Sequence, residues 1–166
     1  MSAIKKNESN GAVVAIGNFD GVHVGHQYIL KQAKEIAVQE NLPLVVLTFE
    51  PHPRQVFQPH VSFKRLMTLE QKKTALKQCG VNTIYIQSFD LEFAKTTPVN
   101  FIQSLLIEKL NAKHVVVGEN FRFGHKAAGD TETLKAQKKF ITHAIPLKKD
   151  AAGVVSSTRL RENTKI

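Results

Sequence analysis

An α/β domain, built on a doubly wound parallel sheet of about five strands, is the architecture that this sequence of 166 residues predicts. Apolar runs rich in valine and isoleucine alternate with longer segments of helical periodicity. Strands that are separated by helices require right-handed crossovers, which give a parallel sheet covered on both faces. A hydrophobic content of 42% in a chain of this length is also typical of one compact domain with a sizeable core.

The predicted elements alternate between strand and helix along the chain. Strands are expected at residues 12–16, 44–49, 83–86, 114–117 and 140–145. Helices are expected at residues 27–39, 69–78, 98–110 and 131–138. Thr68 with Gln71 three residues later, and Thr97 before Pro98, are typical of helix starts, and Gly80 is typical of a helix end.

Composition narrows the class of protein further. Residues 1–10 are predicted to be a polar N-terminal tail, and residues 11–166 form the single domain. The one cysteine, Cys79, excludes an internal disulfide and a Cys-based zinc site, which is typical of a reducing compartment. The sequence contains neither an apolar run of about 18 residues nor a signal-peptide pattern. We therefore expect a cytoplasmic protein with no membrane partner.

The formal net charge of +9 raises the question of an anionic partner. Lysines and arginines are scattered along the chain and adjoin one another only as pairs, such as Lys72 and Lys73. This scatter favours solvated surface lysines, with a small polyanionic ligand as the alternative and RNA as a third interpretation. We therefore expect no nucleic-acid partner.

The stretch GNFDGVHVGHQ, residues 17–27, follows the first predicted strand at the edge of the sheet where ligands of such folds bind. Gly17 ends the strand and a helix is expected to begin near Gly25, so backbone N–H groups and a positive dipole end face the crevice. His23 and His26 are expected to project from nearly the same face of that helix. The pattern predicts an anion site, since Gly25 leaves room for a phosphate.

Rival interpretations of this stretch fit less well. Its glycine spacing does not match the dinucleotide-binding pattern G-x-G-x-x-G, and GENFRFGHK, residues 118–126, has one residue too many between its glycines for a Walker A loop. A metal pair of His23 and His26 remains possible, although no third ligand is visible, and so does a purely structural role. The favoured interpretation is the binding of phosphates by two imidazoles at a helix start.

Four blocks of sequence then carry a family resemblance. HVGH at 23–26 resembles the H-x-G-H signature of nucleotidyltransferases, and it is followed by TFEPHPRQVF (48–57), VVVGENFRFGHKAAGD (115–130) and VSSTRLRE (155–162). Together these blocks resemble the adenylyltransferase (FAD synthetase) domain of the bacterial bifunctional riboflavin kinase/FMN adenylyltransferase family. The resemblance covers nearly the whole chain from about residue 11, and it implies a Rossmann-like fold of the nucleotidyltransferase superfamily.

The resemblance implies a reaction and its ligands. ATP and FMN, with Mg²⁺, would give FAD and pyrophosphate. The FMN phosphate is an anionic nucleophile at neutral pH, so direct in-line attack needs no covalent enzyme intermediate. The family's C-terminal riboflavin kinase domain is expected to be absent from this chain. The sequence leaves the oligomeric state open.

The resemblance also implies three sets of site residues. The catalytic set is His23, His26 and Arg161. The ATP-binding set is Gly17, Asn18, Phe19, Asp20, Gly21, Gly25, Ser156, Ser157 and Thr158. The flavin-binding set is Pro51, His52, Pro53, Arg54, Asn120, Phe121, Phe123, Gly124, Gly129 and Asp130. No residue is directly assigned to the metal.

Two details of the flavin set are expectations about geometry. Phe121 and Phe123 are expected to face opposite sides of an extended segment, so that only one of them needs to meet the flavin ring. The proline-rich segment 51–54 is expected to form a rigid bend that frames the flavin or covers the phosphates. Asn120 stands where aspartate is also common in the family, and either side chain can hydrogen-bond flavin.

Two other functions remain open from the sequence. One is a sister H-x-G-H nucleotidyltransferase with a different substrate, against which the flavin block at 118–130 argues. The other is a flavin- or nucleotide-binding module without turnover, against which His23, His26 and Arg161 argue. Product analysis with FMN and ATP distinguishes the three.

Overall fold

The computed structural model describes residues 10–21, 24–60 and 67–146, and the backbone of two short strands at 149–150 and 153–154. Its centre is a five-stranded sheet in which every pairing is parallel and the order is β3-β2-β1-β4-β5. The strands are β1 (Ala12–Ile16), β2 (Leu44–Glu50), β3 (Thr83–Ser88), β4 (Ala112–Gly118) and β5 (Ile141–Ile145). Two more strands, β6 (Lys149–Asp150) and β7 (Gly153–Val154), pair with each other. The expected five-stranded parallel sheet is confirmed.

The helices follow the expected order with three differences. The α-helices are α1 (Val24–Glu40), α2 (Pro53–Phe57), α3 (Leu69–Gln78), α4 (Pro98–Asn100) and α5 (Thr131–Lys135). Helix α2 was not expected. Helix α4 continues as a π-helix over Phe101–Lys109, and α5 ends earlier than expected because the chain must turn before β5 begins.

Helix α3 shows that the sequence signals for helix ends act as expected. The Thr68 hydroxyl accepts from the Gln71 backbone N–H at 3.1 Å, and the Gln71 side chain accepts from the Thr68 N–H at 2.8 Å. At the other end Gly80 follows the helix with φ of 90°, a left-handed conformation that glycine adopts without steric cost. The boundaries of α3 therefore match the expected residues 69–78.

The core has two halves, one on each face of the sheet. Alternate residues of β1 point to opposite faces, so Val14 packs with Leu105 and Leu106 of the π-helix, while Val13 packs with Leu30 of α1 and Leu76 of α3. The sheet is therefore covered on both faces, and β1 lies at its centre, fully buried.

The strand order changes direction at β1, which pairs with β2 on one side and with β4 on the other. In open α/β sheets, ligands bind outside the carboxyl ends of the strands at such a switch point. The segments that follow β1, β2 and β4 are therefore where a site is expected. Within the part of the chain that the structure describes, none of the helices combines the length and apolar character needed to cross a bilayer.

Candidate active site

The segment that follows β1, residues 17–21, is called the β1 loop below. Phe19 is 1% exposed and has φ of 50°, a left-handed conformation that is uncommon for a bulky residue and carries strain. Its neighbour Asp20 is fully buried, and Gly21 has φ of 87°. The loop therefore holds an unfavourable backbone shape that the packing around it must maintain.

Helix α1 begins at Val24, close to the position expected from the sequence. Gly25 is buried in its first turn, and His26 is half-buried. The His26 ring meets the Phe19 ring edge-to-face, with 5.2 Å between the ring centroids and 72° between their planes. A helix N-terminus carries backbone N–H groups without helical partners and a positive dipole end. An imidazole and an anion-attracting helix start thus lie at one corner of the switch point.

A large cavity of about 840 Å³ opens beside the β1 loop. Seven of the ten phenylalanines of the chain line it, and they come from segments far apart in sequence. They are Phe49, Phe57, Phe89, Phe93, Phe101, Phe121 and Phe123. We call this space the aromatic cavity. Its walls offer a flat, apolar ligand extensive contact with aromatic rings.

Polar residues also line the aromatic cavity, beside the phenylalanines. Gly17 and Asn18 of the β1 loop belong to the lining, so the cavity borders the loop whose Phe19 packs against His26. Thr96, Asn120 and several basic side chains also line it. The basic side chains are Lys95, Arg122, His125 and Lys126.

The segment after β4, residues 119–130, is called the β4 loop, and it corrects one expectation. The rings of Phe121 and Phe123 stack on each other, with 5.6 Å between centroids and 13° between planes. The expectation that they face opposite sides was wrong, because residues two apart in an extended segment point to the same side. Phe123 is buried against Phe101, whereas Phe121 is half-buried and packs at the edge of the core.

The β4 loop closes on itself by backbone hydrogen bonds. Phe123 and Gly129 exchange two of them, at 3.1 and 2.8 Å. A Cβ atom at Gly129 would lie 2.6 Å from the Phe123 ring, so this position accepts only glycine without rearrangement. Arg122 donates from Nε and Nη2 to the carbonyl of Ala127, whose φ is 55°.

Asp130 has a structural task at the end of this loop. It is the N-cap of α5, where its Oδ1 accepts from the Thr133 backbone N–H at 3.0 Å and from the Thr133 hydroxyl at 3.1 Å. These hydrogen bonds, with a smaller contribution from the Arg122 charge, hold the pKa of Asp130 below its ordinary value. The cavity lining includes Gly124 but neither Gly129 nor Asp130.

Comparison with known proteins decides the family. Residues 5–159 match the model of a family described as FAD synthetase. This chain belongs to the FAD synthetase family. The resemblance carried by the four sequence blocks is thereby confirmed, together with the Rossmann-like, nucleotidyltransferase-type fold.

Two curated relatives of this FAD synthetase domain are named bifunctional riboflavin kinase/FMN adenylyltransferase. The protein of Escherichia coli (strain K12) is 42% identical over 120 residues, which are 72% of this chain and 38% of that protein. The protein of Listeria monocytogenes (serovar 1/2a, strain ATCC BAA-679 / EGD-e) is 37% identical over 152 residues, which are 90% of this chain and 48% of that protein. The chain therefore spans about half or less of the length of these relatives.

One solved structure shares the fold of the FAD synthetase domain closely. The crystal structure of a macrolide-efflux protein from Streptococcus pneumoniae matches with a TM-score of 0.84 and 32% sequence identity. The match covers 92% of this chain and 52% of that chain.

The proline-rich segment that follows β2 forms a bend and then a short helix. The His52 imidazole accepts from the Arg54 backbone N–H at 3.1 Å, and the Gln55 side chain accepts from the His52 N–H at 3.2 Å. His52 is thus the N-cap of α2. Of the residues predicted here, Pro53 lines the aromatic cavity, whereas Pro51, His52 and Arg54 are absent from its lining.

Several predicted residues lie outside those that the structure describes. They are His23 of the H-x-G-H motif and Ser156, Ser157, Thr158 and Arg161 of the last block. The expectation that His23 and His26 share a helix face therefore stays a prediction. Among the described residues, no group of three or more His, Cys, Asp or Glu side chains is arranged to hold a metal ion.

One residue at this edge of the sheet was missed by the sequence analysis. Lys72 of α3 is 1% exposed and lies directly behind the β1 loop, where its Nζ donates to the Asn18 carbonyl at 2.9 Å. The sequence contains a signal for this position, because Lys72 lies four residues before the buried Leu76 on the apolar stripe of α3. A charged residue on that stripe marks a buried polar contact.

A second pair of histidines lies near the start of β4, away from the carboxyl edge of the sheet. His114 Nδ1 and His143 Nε2 are 3.0 Å apart, and Glu40 approaches His114 from the other side at 3.5 Å. Burial and the neighbouring His114 lower the pKa of His143. The sequence analysis gave these histidines no functional role.

Proposed function

We propose that this chain is an FMN adenylyltransferase, which transfers AMP from ATP to the phosphate of FMN and gives FAD and pyrophosphate. The observation that carries the proposal is the aromatic cavity, which is lined in part by the β1 loop, whose Phe19 packs against His26. Membership of the FAD synthetase family and the names of the relatives support it.

The aromatic cavity suits the flavin part of FMN. Its volume of about 840 Å³ lies within the range of ligand pockets, roughly 300 to 1,000 Å³. Phenylalanine rings bind a flat aromatic ligand through stacking and edge contacts, and Asn120 can hydrogen-bond the polar edge of the flavin. The FMN phosphate would then point towards the β1 loop, since Gly17 and Asn18 line the cavity and the start of α1, which favours anions, follows that loop.

The chemistry proposed for the β1 loop corner is direct transfer of the adenylyl group. An oxygen of the FMN phosphate attacks the α-phosphorus of ATP, a new P–O bond forms, and the bond from the α-phosphorus to the bridging oxygen breaks. Pyrophosphate leaves with that bridging oxygen, so no enzyme group becomes covalently bound. His26 and the first turn of α1 stabilise the negative charge that moves during the transfer.

The remaining site residues belong to this proposal through the family resemblance. His23 would share the phosphates with His26, and the backbone of Gly21 and Gly25 would approach them closely. The hydroxyls of residues 156–158 would bind the triphosphate, and Arg161 would neutralise the departing pyrophosphate.

Mg²⁺ is proposed as the cofactor that accompanies ATP. This ion is bound mainly by phosphate oxygens and water, with one or two carboxylates from the protein. A site of this kind needs no cluster of several protein ligands. When bound, it would neutralise phosphate charge, and no ligand is assigned to it.

The test is product analysis. Purified protein is incubated with FMN, ATP and Mg²⁺, and the flavins are separated by chromatography while pyrophosphate is measured. Equal amounts of FAD and pyrophosphate are expected. Binding of FMN without either product would favour a flavin-binding module, and pyrophosphate release with a phosphopantetheine, nicotinamide mononucleotide or glycerol phosphate but not with FMN would favour a sister nucleotidyltransferase.

A further inference from the structure

A buried ammonium group lies behind the β1 loop. Besides the Asn18 carbonyl at 2.9 Å, the Nζ of Lys72 donates to Oε2 of Glu50 at 2.6 Å and to the Thr48 hydroxyl at 3.1 Å. Lys72 and Thr48 are buried, and the Glu50 side chain is 14% exposed. We call Lys72, Thr48 and Glu50 the lysine bracket.

The lysine bracket holds one backbone atom from two sides. The Thr48 hydroxyl, which accepts from Lys72, itself donates to the Asn18 carbonyl at 3.0 Å. Two donors therefore fix the orientation of the peptide that joins Asn18 to Phe19. This is the peptide just before the left-handed Phe19, so the bracket acts where the loop is strained.

Phe19 connects the fixed Asn18–Phe19 peptide to His26 through a ring contact. Its buried ring lies edge-to-face against the half-buried His26 ring, 5.2 Å away between centroids. Because Phe19 is 1% exposed and its ring is closely packed, a shift of its backbone is expected to shift the ring as well. A continuous set of contacts therefore runs from Lys72 through Asn18 and Phe19 to the imidazole.

Stability alone is a poor reason for this lysine. A buried ion pair contributes no more stability, as a rule, than apolar residues of similar volume in the same place. An apolar residue at position 72 would continue the stripe that Leu76 begins on α3. What the amine adds is a set of directional hydrogen bonds to the β1 loop, which an apolar side chain cannot make.

We propose that Lys72, with Thr48 and Glu50, is a positioning residue of the transfer reaction, which sets the β1 loop so that the Phe19 ring holds His26 against the phosphates. The inference rests on the proposed adenylyltransferase function. It assigns Lys72 no contact with either substrate.

The test compares two variants that differ only in the amine. Both variants carry E50Q, so K72M/E50Q removes the ammonium without leaving the Glu50 carboxylate opposite an apolar side chain. We expect kcat for FAD formation to fall about 10- to 100-fold from E50Q to K72M/E50Q, because a small displacement of a catalytic group costs rate steeply. The KM for FMN should stay within about 3-fold, since the aromatic cavity is not altered.

A coupling measurement separates positioning from general stability. If Lys72 acts through His26, removing the amine in an H26A/E50Q background should change kcat by less than about 3-fold, because the group it positions is already absent. A merely structural role would give the same loss of kcat with and without His26. Equal losses, or an unchanged kcat in K72M/E50Q, would overturn the proposal.

Lys73 provides the matched control. It is the next residue of α3, but it is partly exposed and paired with Glu70 on the surface at 3.4 Å. K73M should leave kcat and both KM values as in the unmodified protein. If K72M/E50Q does not fold, T48V removes the second donor to the Asn18 carbonyl and should show the same coupling to His26; additive losses in T48V would count against the proposal.

A spectroscopic measurement keeps this inference separate from the proposed function. If the unmodified protein makes no FAD, the function fails, and the NMR signals of the His26 imidazole then test the positioning alone. They should shift between E50Q and K72M/E50Q and stay unchanged in K73M. Unmoved signals in K72M/E50Q would contradict the inference whatever the activity.

Discussion

The β1 loop and the aromatic cavity adjoin each other, yet they are held in shape by different forces. The β1 loop has a strained backbone. Directional hydrogen bonds from Lys72 and Thr48 to the Asn18 carbonyl hold it in place. The aromatic cavity is walled by seven phenylalanines, whose contacts are apolar and far less dependent on direction. The β1 loop therefore holds its groups in fixed positions, whereas the aromatic cavity offers a large apolar contact area.

This difference matches the proposed chemistry. Charge moves over the phosphates during transfer, so the groups that meet it must be placed within a fraction of an ångström. The flavin ring does not react, so the cavity needs only to bind it and to direct its phosphate towards the β1 loop. Changes in the β1 loop should therefore lower kcat, whereas changes in the cavity should weaken FMN binding.

The largest effect is expected at His26. The substitution H26A should lower kcat by roughly 10²- to 10³-fold while the affinity for ATP stays within a few-fold, because the role proposed for the imidazole is to stabilise charge that develops in the transition state. Steady-state kinetics and a separate nucleotide-binding assay measure the two quantities. A kcat equal to that of the unmodified protein would remove His26 from the mechanism.

A smaller effect, of a different kind, is expected at Gly129. The substitution G129A should lower the free energy of unfolding by about 1 to 3 kcal/mol and weaken FMN binding, because the new Cβ would displace the Phe123 ring from the cavity wall. Thermal unfolding and FMN titration measure these effects. A128S adds one atom at the exposed neighbouring position and serves as the control; equal effects in both variants would contradict the steric explanation.

Phe57 tests the cavity wall without disturbing the core. It lines the cavity and is 59% exposed, and its ring meets Phe89 edge-to-face with 5.7 Å between centroids. The substitution F57A should raise the Kd for FMN by about 3- to 10-fold, as expected for one lost aromatic contact, with ATP binding and kcat unaffected. Val99 is 71% exposed and does not line the cavity, so V99A is the matched control. A lower kcat in F57A would contradict the expectation that the cavity wall affects FMN binding and not the rate of transfer.

The smallest effect concerns the pH dependence of stability at Asp130. Hydrogen bonds from Thr133 hold the pKa of Asp130 below its ordinary value of 3.8. A carboxylate with a lowered pKa in the folded protein stabilises it above that ordinary value, and this stabilisation is lost as the pH falls through the folded-state pKa. In D130N the decrease in Tm between about pH 6 and about pH 3 should therefore be smaller than in the unmodified protein. An identical decrease would show that the cap does not titrate in this range.

Much of the fold was predictable because its signals are local. The capping pair Thr68 and Gln71 fixed the start of α3, and the apolar runs located all five strands of the sheet. The extension of α4 as a π-helix was not predictable, since its hydrogen-bond pattern depends on how Phe101 and Leu105 pack against the sheet. In Phe121 and Phe123 the error lay in the reasoning, because the period of an extended chain already places both on one side.

The sequence by itself determined the β/α order, the family and the short motif that carries His26, because these depend on residues close together along the chain. Only the tertiary structure decided which distant segments meet. It gathered seven phenylalanines from β2, the segments after β2, β3 and β4, and the start of the π-helix into one cavity. It also buried Lys72 behind the β1 loop. The physical reason is that parallel strands are joined by long crossovers. The carboxyl ends of the strands therefore bring together residues that are far apart in the sequence, and no local pattern predicts that they meet.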